Sequence, residues 1–363
     1  MEEVRQGAGA GALPVLHGRS LQPRGHLAET ARALRRRCAD RAPPSERSAR
    51  AHSRRPQRGR HAAGSGGSHL PDGHVRRHAR RRRRARDLRA GARRARRAVP
   101  GGRVIAVSQA ALAAAIEAAE AAGLVALKYY RGGFEVTLKP DDTPVTQADR
   151  EAERAIVEVL SRAFPEHGVL GEEFGGSGNT ETRWIIDPID GTKNFVRHIP
   201  LWATLIALEE HGEITVGVIH NPVTGDLYTA RRGGGAFLNG ERIYVSDEAD
   251  LGRAFLVHAG LRPAHGTGHW EGFLRLVDAT DRQRGFGDYA GYSLVAEGKA
   301  EIYAEIYPEG AGLKPWDLAP CKILVEEAGG RFTDLSGRAT IYSSSALATN
   351  GRLHDAALAL LRP

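Results

Sequence analysis

The 363-residue sequence has only two cysteines, Cys38 and Cys321, which lie far apart in the chain. So few and so separated, they indicate neither a disulfide framework nor a zinc site, and a reducing compartment is the expected environment. The chain also lacks an uninterrupted run of about 18 apolar residues, which argues against a membrane span. Its N-terminus lacks the apolar stretch of a secretory leader. We therefore expect a cytoplasmic protein without a membrane partner.

The first 103 residues lack Ile, Phe, Trp, Tyr, Asn and Lys altogether. They hold 28 arginines against 7 acidic residues, whereas the rest of the chain holds 24 basic and 36 acidic residues. A segment with so few large apolar side chains cannot offset the roughly 1–2 kcal/mol of backbone entropy that ordering each residue costs. We expect 1–103 to be a disordered Arg-rich extension and 104–363 to be the folded domain that carries the activity.

Three origins of this basic extension remain open. Arginine without lysine, beside Ala, Gly, Pro and His, is typical of G+C-rich DNA translated in a wrong frame or upstream of the true start. On that interpretation the start is mis-assigned and the true start lies near Val104 or Val107. The extension is otherwise a disordered appendage, or a tail that neutralises nucleic-acid phosphates through runs such as 76–84. Such tails usually mix Lys with Arg and carry aromatic patterns, so we do not expect a nucleic-acid partner.

From Ser108 onward the sequence alternates between helical and strand patterns. Ser108 is a candidate cap for an Ala-rich helix that continues to about Tyr130, and 146–149 resembles a capping box before a helix that ends near Phe164. Strands are predicted at 184–186, 202–209, 214–220, 226–231, 235–244, 254–258, 283–287 and 301–306, and helices at 269–278, 289–297, 317–328 and 352–361. The pattern predicts an α/β (α+β) protein in which helices pack on sheets in layers.

Two aspartates stand close together where a strand is predicted to end. Asp187 follows the apolar run 184–186, and Pro188 is expected to end the strand because it removes a ladder N–H. Asp190 comes three residues after Asp187, and two carboxylates so close repel each other unless a cation lies between them. Mg²⁺ fits this pair, because it prefers oxygen ligands and is usually shared with phosphate.

Other residues extend this acidic pair into a catalytic pattern. Glu172 follows a glycine before the strand, and Asp317 opens a later helix. Each alone is typical of a solvated loop or a helix cap, but together and in this order they indicate a metal site. Gly191 and Thr192 come at a helix start, where backbone N–H groups can receive a phosphate. Two metals would clamp the attacking and leaving oxygens, which is a phosphatase design.

Two longer motifs resemble a known family. WIIDPIDGTKNF at 184–195 and PWDLAPCKILVEEAGG at 315–330 are similar to the two signatures of the inositol monophosphatase superfamily, and the resemblance covers about 108–363. It implies a layered αβαβα sandwich of the inositol monophosphatase and fructose-1,6-bisphosphatase type. It also implies a Mg²⁺-dependent phosphomonoesterase with two or three Mg²⁺ per site, a small phosphorylated substrate and a homodimer.

The resemblance carries metal-ligand roles onto five positions of this sequence. It implies that Glu172, Asp187 and the carbonyl of Ile189 hold the first metal. The second metal would be held by Asp187, Asp190 and Asp317.

The resemblance also implies catalytic and substrate-binding roles. Thr192 with Glu172 would orient and activate the attacking water. Asp149 would support this water and also a third, weaker metal. The N–H groups of Gly191 and Thr192 would bind phosphate, beside Asp190. Glu305 matches an acidic residue that contacts the substrate, although the segment 306–315 is longer than in inositol phosphatases.

Three further segments are similar to the histidinol-phosphatase branch, which hydrolyses L-histidinol phosphate in histidine biosynthesis. They are DGTKNFVRHIPLWATLIAL at 190–208, GDYAGYSLVAEG at 287–298 and GLKPWD at 312–317. Asp288 and Glu305 are acids that can pair with the ammonium group of histidinol. Asp288 is alternatively a helix cap, and Lys193 is either a phosphate or substrate contact or simply solvated.

Three other functions remain compatible with the sequence. An inositol-1-phosphate or other sugar-phosphate phosphatase would use the same machinery. A nucleic-acid-binding protein would use the arginine-rich extension. A non-catalytic scaffold is the third, and the presence of every implied metal ligand argues against it.

Overall fold

The computed structural model describes residues 109–132, 136–138 and 144–363, with side chains described in 109–132 and from 147 onward. The extension predicted at 1–103, the cap predicted at Ser108 and the Thr146 side chain of the predicted capping box lie outside this described part.

The described residues form eight α-helices, fifteen strands and a short 3₁₀ turn at Leu251–Arg253. The helices are α1 (Gln109–Gly132), α2 (Gln147–Ala163), α3 (Thr192–Phe195), α4 (Leu261–His265), α5 (Trp270–Ala279), α6 (Asp288–Ala296), α7 (Pro315–Glu327) and α8 (His354–Leu361). The strands are β1 (Val136–Leu138), β2 (Pro144–Thr146), β3 (Gly168–Gly171), β4 (Gly175–Ser177), β5 (Thr182–Asp190), β6 (Ala203–Glu210), β7 (Glu213–Asn221), β8 (Asp226–Arg231), β9 (Gly235–Leu238), β10 (Glu241–Arg242), β11 (Phe255–His258), β12 (Arg282–Gly285), β13 (Ile302–Ile306), β14 (Arg331–Thr333) and β15 (Ser345–Thr349).

These strands form one ribbon and two larger sheets. β1 and β2 pair antiparallel. The first sheet has eight strands in the order β10-β9-β8-β7-β6-β5-β3-β4, antiparallel except where β3 pairs with β5. The second has five strands in the order β12-β11-β13-β15-β14, parallel from β12 to β13 and antiparallel beyond.

Strand periodicity of two divides the apolar core into layers. In the first sheet, Ile185 and Leu205 lie in a cluster with α6 and α7, whereas their neighbours Ile186 and Ile206 lie in a cluster with α1 and α2. Successive side chains of a strand point to opposite faces, so helices cover both faces of this sheet.

The second sheet is covered in the same way. Tyr303 and Ala348 share the cluster of α6 and α7, whereas Ile302 and Leu347 pack with residues of α4, α5 and α8. The layers are therefore α1 and α2, the eight-stranded sheet, α6 and α7, the five-stranded sheet, and α4, α5 and α8. This confirms the predicted αβαβα sandwich.

The prediction that a strand ends at Asp187 is wrong. β5 continues to Asp190, and its register against β6 shifts between Asp187, opposite Leu205, and Asp190, opposite Ala203. This bulge adds one residue to β5 and accommodates Pro188, whose carbonyl accepts a hydrogen bond from Thr204 Oγ1 at 2.9 Å. In a regular strand, residues three apart point to opposite faces. The bulge therefore allows both aspartates to reach one site.

The two larger sheets contain four short strands that the sequence patterns did not predict. They are β3 and β4 in the first sheet and β14 and β15 in the second. Each has three to five residues, too few for a periodic pattern to be distinctive. β3 matters most for the site, because Glu172 follows it directly.

Helix α1 is long and apolar enough, by length and composition alone, to span a membrane, with a mean hydropathy of 1.7 over its best window. Glutamates interrupt its apolar residues, so the sequence contains no continuous run of the length expected for a membrane span. Its residues Ala115, Ala118, Ala119 and Ala122 are fully buried and pack against α2 and the first sheet. That buried face is the face of a core helix.

Candidate active site

The carboxylates of Asp187, Asp190 and Asp317 converge between the end of β5 and the start of α7. Ligand oxygens of the three residues lie within 4.8 Å of one another. Asp187 and Asp190 are 2% and 6% exposed. The structure thus brings together three of the acids that the sequence motifs singled out as candidate metal ligands.

Backbone hydrogen bonds hold each of these carboxylates in place. Asp187 Oδ1 accepts the N–H of Ile189 at 2.9 Å, which closes the bulge. Asp190 Oδ2 accepts the N–H of Tyr289 at 2.8 Å, which links β5 to α6. Asp317 Oδ2 accepts the N–H of Lys314 at 2.7 Å, as part of the capping box of α7. The three aspartates are therefore fixed by the backbone of separate elements.

Burial and mutual repulsion disfavour negative charge in this cluster. Burial, and then the charges of Glu172, Asp190 and Asp317, hold the pKa of Asp187 well above its usual value. The pKa of Asp190 is likewise raised, chiefly by burial. Burial raises the pKa of Asp317 to about 7. A cation among these oxygens would remove the repulsion.

Glu172 lies in the turn between β3 and β4 and lines the same cavity as the three aspartates. Its backbone N–H donates to the carbonyl of Ile186 at 3.3 Å, which ties the turn to β5. Its charge is the largest Coulombic influence on Asp187, so the two side chains face one another. The compact group of three oxygens is formed by the aspartates without Glu172.

The segment after Asp190 turns sharply into the short helix α3. Gly191 precedes the helix with φ 82°, a left-handed conformation that favours glycine, and a Cβ there would lie 3.1 Å from the carbonyl of Leu201. Thr192 Oγ1 donates to the carbonyl of Ile189 at 3.1 Å. The cavity is lined here by Ile189, Gly191, Thr192 and the exposed Lys193.

Asp288 lines the same cavity and does not occupy the cap position of α6, which is Gly287. Its φ is 58°. Asn194 Nδ2 donates a hydrogen bond to Asp288 Oδ2 at 3.4 Å. Burial raises the pKa of Asp288, while the charge of Lys193 opposes the rise. A strained backbone at an acid in a cavity is typical of a functional position.

Glu305 lies on β13 at the base of the cavity and is 2% exposed. It accepts a hydrogen bond from the hydroxyl of Tyr292 at 2.8 Å. Burial, and then the charge of Asp288, raises its pKa to about 8. Asp288 and Glu305 therefore form a second acidic pair beside the aspartate cluster.

The cavity has a volume of about 340 Å³. Part of its wall was not predicted from the sequence: Tyr292, Tyr307, Gly312, Leu313, Lys314 and Trp316. Several of these residues lie inside the motifs quoted from 287–298 and 312–317, but a single sequence does not reveal which of their side chains face a cavity. They add aromatic and apolar side chains, and the charged Lys314, to the lining of the cavity.

Asp149 is the predicted site residue that the structure keeps apart from the cavity wall. It is 1% exposed in the first turn of α2 and is not among the residues that line the cavity. Sequence reasoning also missed Glu153, a second buried acid one turn later on α2. The available signal was its spacing of four residues from Asp149, which puts both on one face of the helix.

The chain is similar to a known family and to several characterised proteins. The model of the inositol monophosphatase family matches residues 108–363. The histidinol-phosphatase of Mycobacterium tuberculosis is 47% identical over 234 residues, covering 63% of this chain and 88% of that protein. The inositol-1-monophosphatase of Mesorhizobium japonicum is 40% identical over 211 residues, covering 56% of this chain and 77% of that protein.

A solved structure gives the same result for the fold. The extragenic suppressor protein SuhB of Bartonella henselae superposes with a TM-score of 0.64 at 35% identity, covering 70% of this chain and 98% of that one. The chain therefore belongs to the inositol monophosphatase family of metal-dependent phosphatases and is a phosphoric monoester hydrolase.

Proposed function

We propose that the chain is a Mg²⁺-dependent histidinol-phosphatase that hydrolyses L-histidinol phosphate to L-histidinol and phosphate. The observation that carries the proposal is one cavity lined by the three clustered aspartates and by a neighbouring pair of acids, Asp288 and Glu305. The first cluster suits metal ions and phosphate, and the second suits an ammonium group. The 47% identity to a histidinol-phosphatase supports the same substrate.

The residues present fit Mg²⁺. The three clustered ligands are all carboxylate oxygens, and their raised pKa values mean that the fold disfavours their charge without a cation. We assign the first ion to Glu172, Asp187 and the carbonyl of Ile189, and the second to Asp187, Asp190 and Asp317. When bound, Mg²⁺ supplies positive charge for the phosphate oxygens and lowers the pKa of a coordinated water.

The remaining residues bind and orient the reactants. The N–H groups of Gly191 and Thr192 receive the phosphate, with Asp190 and Lys193 beside it. The Thr192 hydroxyl and Glu172 orient the attacking water. Asp149, on α2, supports this water and a third, weaker ion. Because no side chain serves as the nucleophile, we expect no phosphoenzyme. A labelled phosphate that stays on the denatured protein would contradict this.

The substrate's amine is recognised by charge. Asp288 and Glu305 line the cavity beside the aspartate cluster, and the Tyr292 hydroxyl donates a hydrogen bond to Glu305. A protonated amine between the two acids forms charge-assisted hydrogen bonds and offsets their repulsion. The aromatic wall of Tyr307 and Trp316 suits a planar imidazole ring.

The test is a substrate panel with and without Mg²⁺. We expect a higher kcat/KM for histidinol phosphate than for inositol-1-phosphate or sugar phosphates, and loss of turnover in EDTA. Asp288→Asn should raise KM for histidinol phosphate and change KM for an uncharged phosphate ester much less. Faster hydrolysis of inositol-1-phosphate would instead favour the alternative function, to which the 40% identity to an inositol-1-monophosphatase points.

We further propose that the phosphatase acts as a cytoplasmic homodimer without a membrane or nucleic-acid partner, and that residues 104–363 carry all of its activity. Light scattering of the purified chain tests the dimer, and a monomer at assay concentration would refute it. Salt-sensitive binding of the full chain to DNA or RNA would refute the absence of a nucleic-acid partner.

A further inference from the structure

Glu153 is a buried acid of α2 that contacts the turn carrying Glu172. Its side chain is 1% exposed. Oε2 accepts the N–H of Glu173 at 2.8 Å, and Oε1 accepts the N–H of Phe174 at 3.1 Å. One carboxylate therefore fixes the backbone of the two residues that follow Glu172.

This contact requires a glycine at position 171. A Cβ there would lie 2.0 Å from Glu153 Oε1 and 2.6 Å from its Cδ, so the glutamate fills the space of the missing side chain. Gly171 pairs in parallel with Ile186, the residue before Asp187. The carboxylate of Glu153 thus lies beside the point where β3 meets the strand that carries the aspartates.

The turn lies at the edge of the sheet, where the Arg154 guanidinium of α2 also lies 5.2 Å from the ring centroid of Phe174. It leads into β4, a three-residue strand at the edge of the eight-stranded sheet whose residues are all exposed. The bond from the Glu172 N–H to the Ile186 carbonyl is long, at 3.3 Å. A short edge hairpin opens easily, because few buried contacts resist its opening. The two bonds to Glu153 tie the backbone of the turn to α2.

Packing alone does not explain a glutamate here. Burying a carboxylate carries a desolvation cost that hydrogen bonds only partly offset, and an apolar side chain of similar volume fills such a space at least as well. What an apolar residue cannot do is accept two N–H groups at once. The acid is therefore needed for the geometry of the turn.

We propose that Glu153 is a positioning residue that holds the 172–174 turn so that the carboxylate of Glu172 faces Asp187. The inference rests on the proposed function, because it takes Glu172 to be a metal ligand. Glu153 touches neither substrate nor metal and acts through Glu172. Residues that support a metal ligand in this way typically contribute roughly 10–100-fold to metal affinity or activity.

The experiment compares three substitutions of glutamate by glutamine in the full chain. Glu153→Gln keeps the volume but can accept only one of the two N–H groups, because its amide NH₂ faces the other. Glu158→Gln is the matched control, an exposed glutamate on the same helix. Glu172→Gln tests the proposed ligand itself. Two quantities are measured for each: the Mg²⁺ concentration that gives half-maximal activity, and the rise in Tm that Mg²⁺ produces over EDTA.

For Glu153→Gln we expect the half-maximal Mg²⁺ concentration to rise about tenfold, with turnover recovering at high Mg²⁺. The Mg²⁺-induced rise in Tm at a fixed subsaturating concentration should shrink in parallel, and Glu158→Gln should match the wild type. A Glu153→Gln protein whose Tm in EDTA falls while both Mg²⁺ readouts stay at wild-type values would show a merely structural role and overturn the proposal. If Glu172→Gln itself keeps the wild-type Mg²⁺ response, the ligand assignment fails instead.

A measurement on the wild-type chain decides the matter even if Glu153→Gln does not fold. The amides of Glu173 and Phe174 should be protected from hydrogen exchange in EDTA as well as in Mg²⁺, because Glu153 holds them before any ion binds. Exchange at the rate of an unstructured peptide in EDTA would mean that Glu153 does not fix the turn.

Discussion

Two regions with buried titratable side chains have opposite surroundings. At the end of β5 and the start of α7, three aspartates meet with their oxygens within 4.8 Å. Within the described part of the chain, none of the three forms a salt bridge. Beside β14 and β15, by contrast, the single imidazole of His354 is completely buried between two threonines.

The surroundings of His354 define its protonation state. Thr333 Oγ1 donates to the carbonyl of Asp334 at 2.7 Å, so it must accept from His354 Nε2, which lies 2.9 Å away. Thr349 Oγ1 accepts the N–H of Gly351 at 3.1 Å and uses its own proton for His354 Nδ1 at 3.0 Å. The neutral tautomer with hydrogen on Nε2 satisfies every group, whereas a second proton on Nδ1 would displace the Thr349 hydroxyl proton from that hydrogen bond.

The difference separates a binding site from a structural core. His354 is buried with its hydrogen bonds complete, so its region is most stable when nothing is added. The aspartates are buried with like charges facing each other, so their region is less stable than it would be with a bound cation. Buried groups with like charges facing each other indicate a site for a ligand. A buried polar group whose hydrogen bonds are all made within the protein indicates a role in packing.

The largest expected effect is the loss of turnover in Asp190→Asn. This change removes one charge of the aspartate cluster and keeps its shape. We expect kcat for histidinol phosphate to fall by more than about 100-fold, the upper end for a residue that merely supports a ligand. The control is Asp278→Asn, an exposed aspartate on α5, which should keep wild-type activity. Retained turnover in Asp190→Asn would remove this residue from the proposed metal ligands.

The sequence was sufficient to predict which acids form this cluster, but not which backbone features and neighbouring residues position them. Asp187, Asp190 and Asp317 stand in motifs whose residue types and order indicate a metal site. The bulge at Pro188 was missed, because proline alone indicates the end of a strand and only pairing with β6 extends it. Glu153 was missed for a related reason: an acid on a helix is usually solvated, and its burial depends on a turn formed by β3 and β4.

The layers of the fold were predictable for similar reasons. Long periodic segments such as 202–209 and 214–220 correspond closely to β6 and β7. The sequence could not indicate that His354 is a core residue, because its two partners come from β14 and β15, short strands with no distinctive pattern. A local sequence pattern does not reveal residues whose partners are distant in the chain.

The second prediction concerns acid and the histidine region. Burial lowers the pKa of His354 from 6.5 to about 4. Between these values the unfolded chain binds the proton and the folded chain does not, so stability falls as the pH falls from 6.5 to 4. The loss attributable to His354 is about 3 kcal/mol. Urea unfolding of the wild type and of His354→Gln across this range measures it, with the exposed His265→Gln as control. Parallel curves for wild type and His354→Gln would contradict the assignment.

The third prediction concerns base and the aspartate region, where the sign is reversed. Asp187 and Asp317 have folded pKa values above the ordinary 3.8, about 7 for Asp317, so the folded chain holds protons that the unfolded chain has lost. In EDTA their contribution to stability therefore falls as the pH rises through 7. Mg²⁺ at 100 times its Kd should add about 2.7 kcal/mol at pH 8. Asp187→Asn should be more stable than the wild type in EDTA and gain less from Mg²⁺. A less stable Asp187→Asn in EDTA would mean that repulsion is not the dominant effect.

The smallest expected effect comes from Thr349→Val. This isosteric change leaves Nδ1 of His354 and the N–H of Gly351 without their shared partner, and buried groups left unpaired cost about 1–2 kcal/mol. Thr349→Ser keeps the hydroxyl and serves as the control, with only the loss of a methyl group. Urea unfolding at pH 7.5 measures both variants. Thr349→Val, which removes a polar group beside His354, should therefore destabilise the protein. Asp187→Asn, which removes a charge from the aspartate cluster, should stabilise it in EDTA. If Thr349→Val is as stable as Thr349→Ser, the hydrogen bonds to His354 are not what makes its region stable, and the contrast between the two regions is lost.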